Sequence, residues 1–137
     1  MSDLEQKIEG EIGMFDHMGV DVRDFKESKK FYERALAPLG IKVLSYSEEW
    51  GAAGFGITRP QFWVAAGKPG NGEDEVHICF AAKNRAEVRA FYEAAIQAGA
   101  KDHGKPGLRP EYHENYYGAF VLDPDGHNIE ACCHRPE

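Results

Sequence analysis

Residues 15–20 read FDHMGV, and residues 75–80, 60 positions further along the chain, read EVHICF. Each segment holds one histidine, His17 or His77, at the same place in the repeat. Two copies are too few for an open solenoid, which needs three or more repeats to bury a continuous core. The repeat therefore predicts a fold with pseudo-twofold symmetry, in which equivalent strand positions come close together. Such symmetry would turn His17 and His77 towards one shared cavity, which is the geometry that a metal site needs.

Each copy of the repeat begins as a strand and continues as a helix. Apolar residues alternate over 14–22 and again over 76–81, which is the period of a strand. The sequence then places Asp24 three residues before Glu27, and Asn84 three residues before Glu87, as in capped helix N-termini. We expect helices over about 25–36 and 85–98, each followed by about three strands. The expected strands lie near 41–46, 50–57, 61–66, 116–122 and 127–133, and the last two form a hairpin around the DPDG turn at 123–126.

The predicted organisation is a single α+β domain over residues 14–134. A chain of 137 residues is long enough to bury roughly two-thirds of the surface that it exposes when unfolded. Residues 1–13 are a polar leader, module one spans 14–66 and module two spans 74–134. The glycine-rich segment 67–73 between the modules is the strongest break in the sequence.

Composition excludes some classes of partner and of covalent framework. The chain has 23 acidic residues against 16 lysines and arginines, and the net charge of -7 argues against a surface for nucleic acid or anionic membrane. An apolar run of about 18 residues is missing, and the N-terminus is unlike a signal peptide, so we expect a cytoplasmic protein. Three cysteines make an odd count without framework spacing, so we expect Cys79, Cys132 and Cys133 to be buried thiols.

Three stretches carry a resemblance to a known family. They are residues 15–22 (FDHMGVDV) running into 28–32, residues 76–80 (VHICF) and residues 120–130 (FVLDPDGHNIE). On these stretches the chain resembles the vicinal oxygen chelate superfamily, the group of glyoxalases, bleomycin-resistance proteins and extradiol dioxygenases, from residue 14 to residue 134. The resemblance implies two βαβββ modules whose curved sheets enclose a cleft. It also implies one divalent ion held by the first strand of each module and by a carboxylate on the final strand, here His17, His77 and Glu130.

Two imidazoles and one carboxylate suit a catalytic divalent ion. They leave three positions open on an octahedral ion, enough for a small substrate that chelates through two oxygens. Such an ion acts as a Lewis acid on the paired oxygens, and Fe, Mn, Ni or Zn would serve. A lone strand histidine is more often an ordinary core residue, but two at equivalent positions together with Glu130 favour a metal site.

Trp63 occupies the position at which glyoxalase I-like members carry a fourth ligand. When the last strands of the two modules are aligned, residues 62–65 fall over 129–132 and Trp63 mirrors Glu130. An indole cannot bind a metal, since its nitrogen is only a donor, which argues against a four-ligand site. Gln61, on the same strand face, is expected to contact the substrate, and it would supply an amide oxygen to the ion only if the register slipped, as in epimerase-like members. Trp63 is either a core aromatic or a wall of the cleft against which a substrate stacks.

Residues 105–117 combine functional side chains with turn residues. The segment is either a solvated crossover or an active-site loop. In the second case His113 or Tyr112 would act as general acid or base near the ion. Arg109 would pair with a substrate carboxylate, and Tyr117 would contact the substrate.

The three remaining histidines are not assigned to the ion. His103 and His127 lie in turn contexts and should be on the surface. His134 follows Glu130 by four residues, roughly 13 Å along a strand, so it is not assigned to the ion.

Three functions remain open. The favoured one is a metal-dependent enzyme of lyase, isomerase, epimerase or dioxygenase type. The second is a metal-free binding protein that resembles bleomycin-resistance proteins and holds a planar ligand. The third is a thiol transferase of the fosfomycin-resistance type, for which the expected cluster binding phosphonate and potassium is not identified. Edge strands and apolar stripes on both modules predict a homodimer.

Overall fold

The computed structural model describes residues 17–68 and 76–137. The predicted leader at 1–13 and most of the predicted linker at 67–73 lie outside these ranges. No helix in the described ranges is both long enough and apolar enough to span a membrane. In chain order the elements are β1 (Met18–Val22), α1 (Phe25–Leu36), a short 3-10 helix (Ala37–Leu39), β2 (Lys42–Ser47), β3 (Ala52–Gly56), β4 (Phe62–Ala66), β5 (His77–Ala81), α2 (Arg85–Gln97), β6 (Lys101–Leu108), β7 (Tyr117–Leu122) and β8 (Asn128–Cys133).

The eight strands form two sheets of identical topology. Sheet A has the order β1-β4-β3-β2, and sheet B has the order β5-β8-β7-β6. In each sheet the first strand pairs in parallel with the last, and the other pairs are antiparallel. The prediction of two pseudosymmetric βαβββ modules is therefore confirmed.

The symmetry extends to the register of the strands. Gly19 pairs with Trp63 across β1 and β4, and Cys79 pairs with Glu130 across β5 and β8. Gly19 and Cys79 each follow their module's histidine by two residues. Trp63 and Glu130 are thus structurally equivalent, as the alignment of the last strands predicts.

The helices begin where the sequence predicts. The carboxylate of Asp24 accepts a hydrogen bond from the backbone N of Glu27 at 3.1 Å, and the Asn84 side chain accepts one from Glu87 at 2.8 Å. These contacts satisfy N–H groups that a helix leaves unpaired at its first turn.

One apolar core joins the two modules. Residues of both belong to it, including Phe31 and Phe62 from module one and Ile78 and Phe91 from module two. The rings of Phe62 and Phe80 meet edge to face at 5.1 Å, so the two sheets are connected by direct packing. The side chains on the other face of each sheet point away from this core and are available to form a site.

The turn between β7 and β8 is buried against module one. Asp125 accepts hydrogen bonds from the backbone N of Arg23 at 3.0 Å and from its guanidinium at 3.1 Å. Asp123 accepts from the Tyr32 hydroxyl at 2.5 Å. Burial raises the pKa of Asp123, while the hydrogen bond from Tyr32 acts in the opposite direction. The DPDG turn therefore holds the modules together as well as reversing the chain.

The expectation that His127 lies on the surface is wrong. Its side chain is 2% exposed, and its Nε2 lies 3.0 Å from the backbone oxygen of Asp21. Its backbone N donates to Asp123 at 2.9 Å, so it belongs to the same buried turn. Packing against β1, which is remote in sequence, overrides the local turn signal.

The first part of the expected loop at 105–117 is instead the end of strand β6. This strand contains Gly104, Pro106 and Gly107, and its pairing with β7 is irregular on both sides of Gly104. Such residues are depleted in regular strands, so periodicity does not reveal β6. Gly104 has φ of 155°, and a Cβ there would lie 2.9 Å from the Phe120 ring.

Candidate functional site

The face of sheet B turned away from helix α2, here called the helix-free face, carries the main cluster of polar side chains. Side chains alternate along β8, so Ile129 and Ala131 enter the core while Glu130 points to the other face. The parallel pairing of β5 and β8 sets His77 and Cys79 on the same face as Glu130. Nε2 of His77 lies 2.9 Å from Oε1 of Glu130. Two of the three predicted ligands therefore meet within one chain.

Glu130 is buried although it is ionisable, with only 1% of its surface exposed. Its second oxygen, Oε2, accepts a short hydrogen bond from the Tyr116 hydroxyl. Gly118 leaves room for this contact, since a Cβ there would lie 3.1 Å both from Oε2 and from the Tyr116 ring. Burial, followed by the bond to Glu130, raises the pKa of Tyr116. The phenol thus keeps its proton and acts as a donor at neutral pH.

An aromatic cluster covers one end of the helix-free face. The Tyr116 ring meets Tyr112 at 5.0 Å and His113 at 5.3 Å, both edge to face. The His113 ring stacks on His134, with Nε2 of His113 2.5 Å from Nδ1 of His134. The segment 109–116 is therefore a loop that folds over the site. The contact of Tyr116 with Glu130 places Tyr112 and His113 one side chain further from the carboxylate.

Arg109 and Tyr117, two predicted substrate contacts, have different positions. The Arg109 guanidinium lies 5.6 Å from the Phe120 ring and donates to the backbone oxygen of Lys105 at 2.7 Å. It remains near the helix-free face. Tyr117 packs on the opposite face, beside α2, where Arg89 donates to its hydroxyl at 3.4 Å. The structure does not bring Tyr117 to the site.

Two thiols lie beside Glu130. Sγ of Cys79 is 3.2 Å from Sγ of Cys132, and both cysteines are free. The hydrogen bond from Cys79 lowers the pKa of Cys132 to about 6, and the same bond, together with burial, raises the pKa of Cys79. Cys79 is exposed, which corrects the expectation of three buried thiols, while Cys132 and Cys133 are buried. Cys133 points to α2, so the adjacent residues Cys132 and Cys133 face opposite sides of sheet B.

His17 and Gln61 line a separate pocket of about 300 Å³ at the junction of β1 and β5. Most of its wall is apolar and includes Met18, Phe62 and Ile78. Cys79 also lines it, so the pocket borders the thiol pair. In the described ranges, the His, Cys, Asp and Glu side chains whose donor atoms lie within 4.8 Å of one another in a group of three are Cys79, Glu130 and Cys132. His17 therefore does not form such a group with His77 and Glu130 within one chain.

Trp63 is half-buried on the face of sheet A that corresponds to the helix-free face of sheet B. Its indole covers Gly54, where a Cβ would lie 2.9 Å from the ring. Gly54 pairs with Trp63 as Phe120 pairs with Glu130. The neighbours of Trp63 on this face are small. Module one therefore presents an aromatic surface at the place where module two presents side chains that can bind a metal.

Sequence reasoning missed Tyr116 and the thiol pair. Tyr116 precedes β7, and alternation along the strand sets it on the same side as Gly118 and Phe120, the residue that pairs with Glu130. Cys79 and Cys132 each lie two residues after a predicted ligand. Strand alternation therefore gives the face of all three residues. Their contacts also depend on strand pairing: the β7–β8 register for Tyr116 and the β5–β8 register for the two cysteines.

The comparisons with known proteins agree with this architecture. The model of the family described as Glyoxalase/Bleomycin resistance protein/Dioxygenase superfamily matches residues 14–131. The chain belongs to this superfamily. A search of curated proteins gives no match.

Solved structures of the superfamily share the fold. A glyoxalase/bleomycin resistance protein from Albidiferax ferrireducens is similar at 30% identity and a TM-score of 0.75, over 90% of this chain and 100% of that one. The fosfomycin resistance protein FosX from Mesorhizobium loti has 18% identity and a TM-score of 0.67, over 91% and 95% of the two chains. A mutant FosX from Listeria monocytogenes, in complex with Mn(II) and 1S,2S-dihydroxypropylphosphonic acid, has 18% identity and a TM-score of 0.69, over 92% and 94%. At 18% identity these FosX structures support the fold alone.

Proposed function

We propose that this member of the superfamily is a metal-dependent enzyme whose small substrate chelates the metal through two oxygens, with chemistry of lyase, isomerase or dioxygenase type. The observation that carries the proposal is the buried Glu130 carboxylate in contact with His77 at 2.9 Å. A buried carboxylate is costly unless it is paired or coordinates a metal. Together with His77 it offers the imidazole and carboxylate donors that Fe, Mn, Ni and Zn accept.

The donors present suit such an ion, and His17 would complete the set. Because His17 does not lie close to both His77 and Glu130 in one chain, we propose that His17 of a second copy supplies the third donor. His17 is exposed at the start of β1, where it is accessible to a partner. The enzyme would then be a homodimer with sites shared between the copies. When bound, the ion would act as a Lewis acid on the paired substrate oxygens.

The chain's own residues would hold and move the protons. Tyr116, which keeps its proton, donates to Glu130 and fixes the orientation of this carboxylate. On release from Glu130 the same hydroxyl could donate to a substrate oxygen. The stacked pair His113 and His134 lies next to the Tyr116 ring and provides imidazoles to relay a proton to solvent. Loop 109–116 would also exclude water from this end of the site.

A metal-free binding protein is the second candidate, and the pocket at the β1–β5 junction favours it. A volume of about 300 Å³ with a mainly apolar wall is at the lower end of the range for small-molecule sites. An apolar ligand would bind there without an ion. This function predicts binding that does not change on treatment with a chelator.

Mixing of variants tests the shared site. His17→Ala and His77→Ala should each lose binding of added Mn²⁺, measured by the electron paramagnetic resonance signal of the free ion. Mixed in equal amounts under conditions that exchange subunits, the two variants should recover part of the binding, because one of the two sites in a mixed dimer keeps all three donors. His103→Ala, which changes an exposed histidine on β6, is the control and should bind normally. Failure of the mixture to recover any binding would exclude the shared site, and full binding by His77→Ala would exclude the ligand set.

A further inference from the structure

Cys79 and Cys132 form a thiol pair on neighbouring strands. In the parallel register of β5 and β8, Cys79 lies opposite Glu130 and Ala81 lies opposite Cys132, so the cysteines are diagonal neighbours on one face. Their sulfur atoms are 3.2 Å apart. The proposed chemistry of His77, Glu130 and Tyr116 does not use these two free thiols.

A third donor completes the arrangement. One donor atom each from Cys79, Cys132 and Glu130 lies within 4.8 Å of the other two. Both Cys132 and Glu130 are buried, at 8% and 1% exposure, so strand pairing holds these donors in place. In addition, Nε2 of His134 lies 3.7 Å from the sulfur of Cys132 and could donate to a thiolate there.

The distances suit a tetrahedral thiolate site. With Zn–S bonds of about 2.3 Å, tetrahedral coordination places two sulfur ligands roughly 3.8 Å apart. The observed 3.2 Å would have to open by only about 0.6 Å, within the range of side-chain rotation. Thiolates select soft or borderline ions such as Zn²⁺ and Cd²⁺ over Mn²⁺.

We propose that Cys79, Cys132 and Glu130 bind a thiophilic divalent d10 cation, Zn²⁺ or Cd²⁺. This site rests on the proposed function in one respect, since the Glu130 carboxylate belongs to both sets of metal donors. The ion would enter from the pocket at the β1–β5 junction, because Cys79 is exposed and lines it. Binding releases the proton of each thiol to solvent, so that the ion faces two thiolates and a carboxylate.

Sharing of Glu130 has a regulatory consequence. Two divalent ions that share this one carboxylate, one beside the sulfur atoms and one at the histidines, would repel each other at short range. Occupancy by a thiophilic ion should therefore compete with Mn²⁺, and the two ions should not bind the same chain together. The proposed enzyme would be inhibited by Cd²⁺ through displacement of its metal.

Titration of the full-length protein with Cd²⁺ tests the thiolate site. Thiolate coordination produces charge-transfer absorption in the ultraviolet, which should saturate at one Cd²⁺ per chain. Cys79→Ala and Cys132→Ala should each weaken binding by about 100-fold or more, because loss of even an outer-shell partner costs about 10–100-fold. Cys133→Ala is the matched control, since this buried thiol faces α2, and it should titrate like the unaltered protein. Should Cys132→Ala fail to fold, the exposed Cys79 still gives the decisive variant.

The histidine variants separate this inference from the proposed function. His77→Ala should keep the Cd²⁺ absorption while it loses Mn²⁺. If the unaltered protein binds none of Mn²⁺, Fe²⁺ and Ni²⁺ but shows the Cd²⁺ absorption, the proposed function fails and the thiolate site stands. Cd²⁺ absorption that persists in Cys79→Ala, or that is absent from the unaltered protein, would overturn the thiolate site.

Discussion

Trp63 and Glu130 occupy equivalent positions in the two modules. Trp63 lies opposite Gly19 on β1, and Glu130 lies opposite Cys79 on β5, two residues after His17 and His77 respectively. The same backbone therefore presents an indole on one side of the pseudo-twofold axis and a buried carboxylate on the other. Donors are concentrated in module two, and module one contributes an aromatic surface.

Trp63→Ala should cost less stability than removal of a core aromatic. Core Phe or Trp to Ala changes cost roughly 3–5 kcal/mol because of the cavity that remains. Trp63 is half-buried and lies outside the core, whereas its neighbour Phe62 is 3% exposed within it. Chemical denaturation should therefore show a smaller loss for Trp63→Ala than for Phe62→Ala, with metal content unchanged in the first. An equal loss in both variants would make Trp63 a structural residue and remove the aromatic wall.

Tyr116→Phe should destabilise the protein by about 1–3 kcal/mol, because Oε2 of the buried Glu130 would lose its donor. The matched control is Tyr112→Phe. The Tyr112 side chain is exposed and contacts Tyr116 through its ring. The unfolding free energies of the two variants, measured in urea, give the comparison. Equal losses of unfolding free energy in the two variants would contradict the prediction that the bond to Glu130 stabilises the fold.

Repeat symmetry and strand alternation predicted most of the fold. They predicted both helices, seven of the strands and the equivalence of Trp63 with Glu130. Strand β6 was missed because Gly104, Pro106 and Gly107 remove the alternation on which a strand prediction depends. Local pattern also cannot show which turns become buried, so the exposure predicted for His127 was wrong.

The site was less predictable than the fold. Alternation along β5 and β8 identified the face that carries His77 and Glu130. The contact of Tyr116 with Glu130, and the pairing of Cys79 with Cys132, depend on which strands are neighbours and on their exact register. Local patterns show which residues alternate along one strand, but not that β5 pairs with β8, which is remote in sequence.

Tyr32 and Tyr92 lie at equivalent positions of α1 and α2 and should contribute unequally to stability. Tyr32 is fully buried, and its hydroxyl donates to Asp123 at 2.5 Å across the module boundary. Tyr92, at the equivalent position, donates to Asp102 at 3.0 Å in an exposed setting. Tyr32→Phe should lower the unfolding free energy by about 1–3 kcal/mol, since it leaves a buried carboxylate short of a donor. Tyr92→Phe should change the unfolding free energy by much less. Thermal or urea unfolding measures both variants, and a larger loss for Tyr92→Phe than for Tyr32→Phe would contradict the prediction.

Asp123 should make stability depend on pH. Burial raises its pKa in the folded protein above the ordinary value of 3.8. Between these two pKa values the folded state binds more protons than the unfolded state, so the stability contributed by Asp123 is present below pH about 4 and decreases as the pH rises through the folded pKa. The unfolding free energy of the unaltered protein should therefore fall relative to that of Asp123→Asn over this window. A difference between the two proteins that stays constant from acid to neutral pH would contradict the raised pKa.

Metal content tests the central claim most directly. The full-length protein, equilibrated with Mn²⁺ and freed of excess ion, should contain one Mn²⁺ per 15.3 kDa chain by elemental mass spectrometry. Glu130→Gln removes the carboxylate with little change of shape and should reduce the content to near zero, while His103→Ala should keep it. Full metal content in Glu130→Gln would contradict the account, and so would an unaltered protein that retains none of Mn²⁺, Fe²⁺, Ni²⁺ and Zn²⁺ when equilibrated with each in turn.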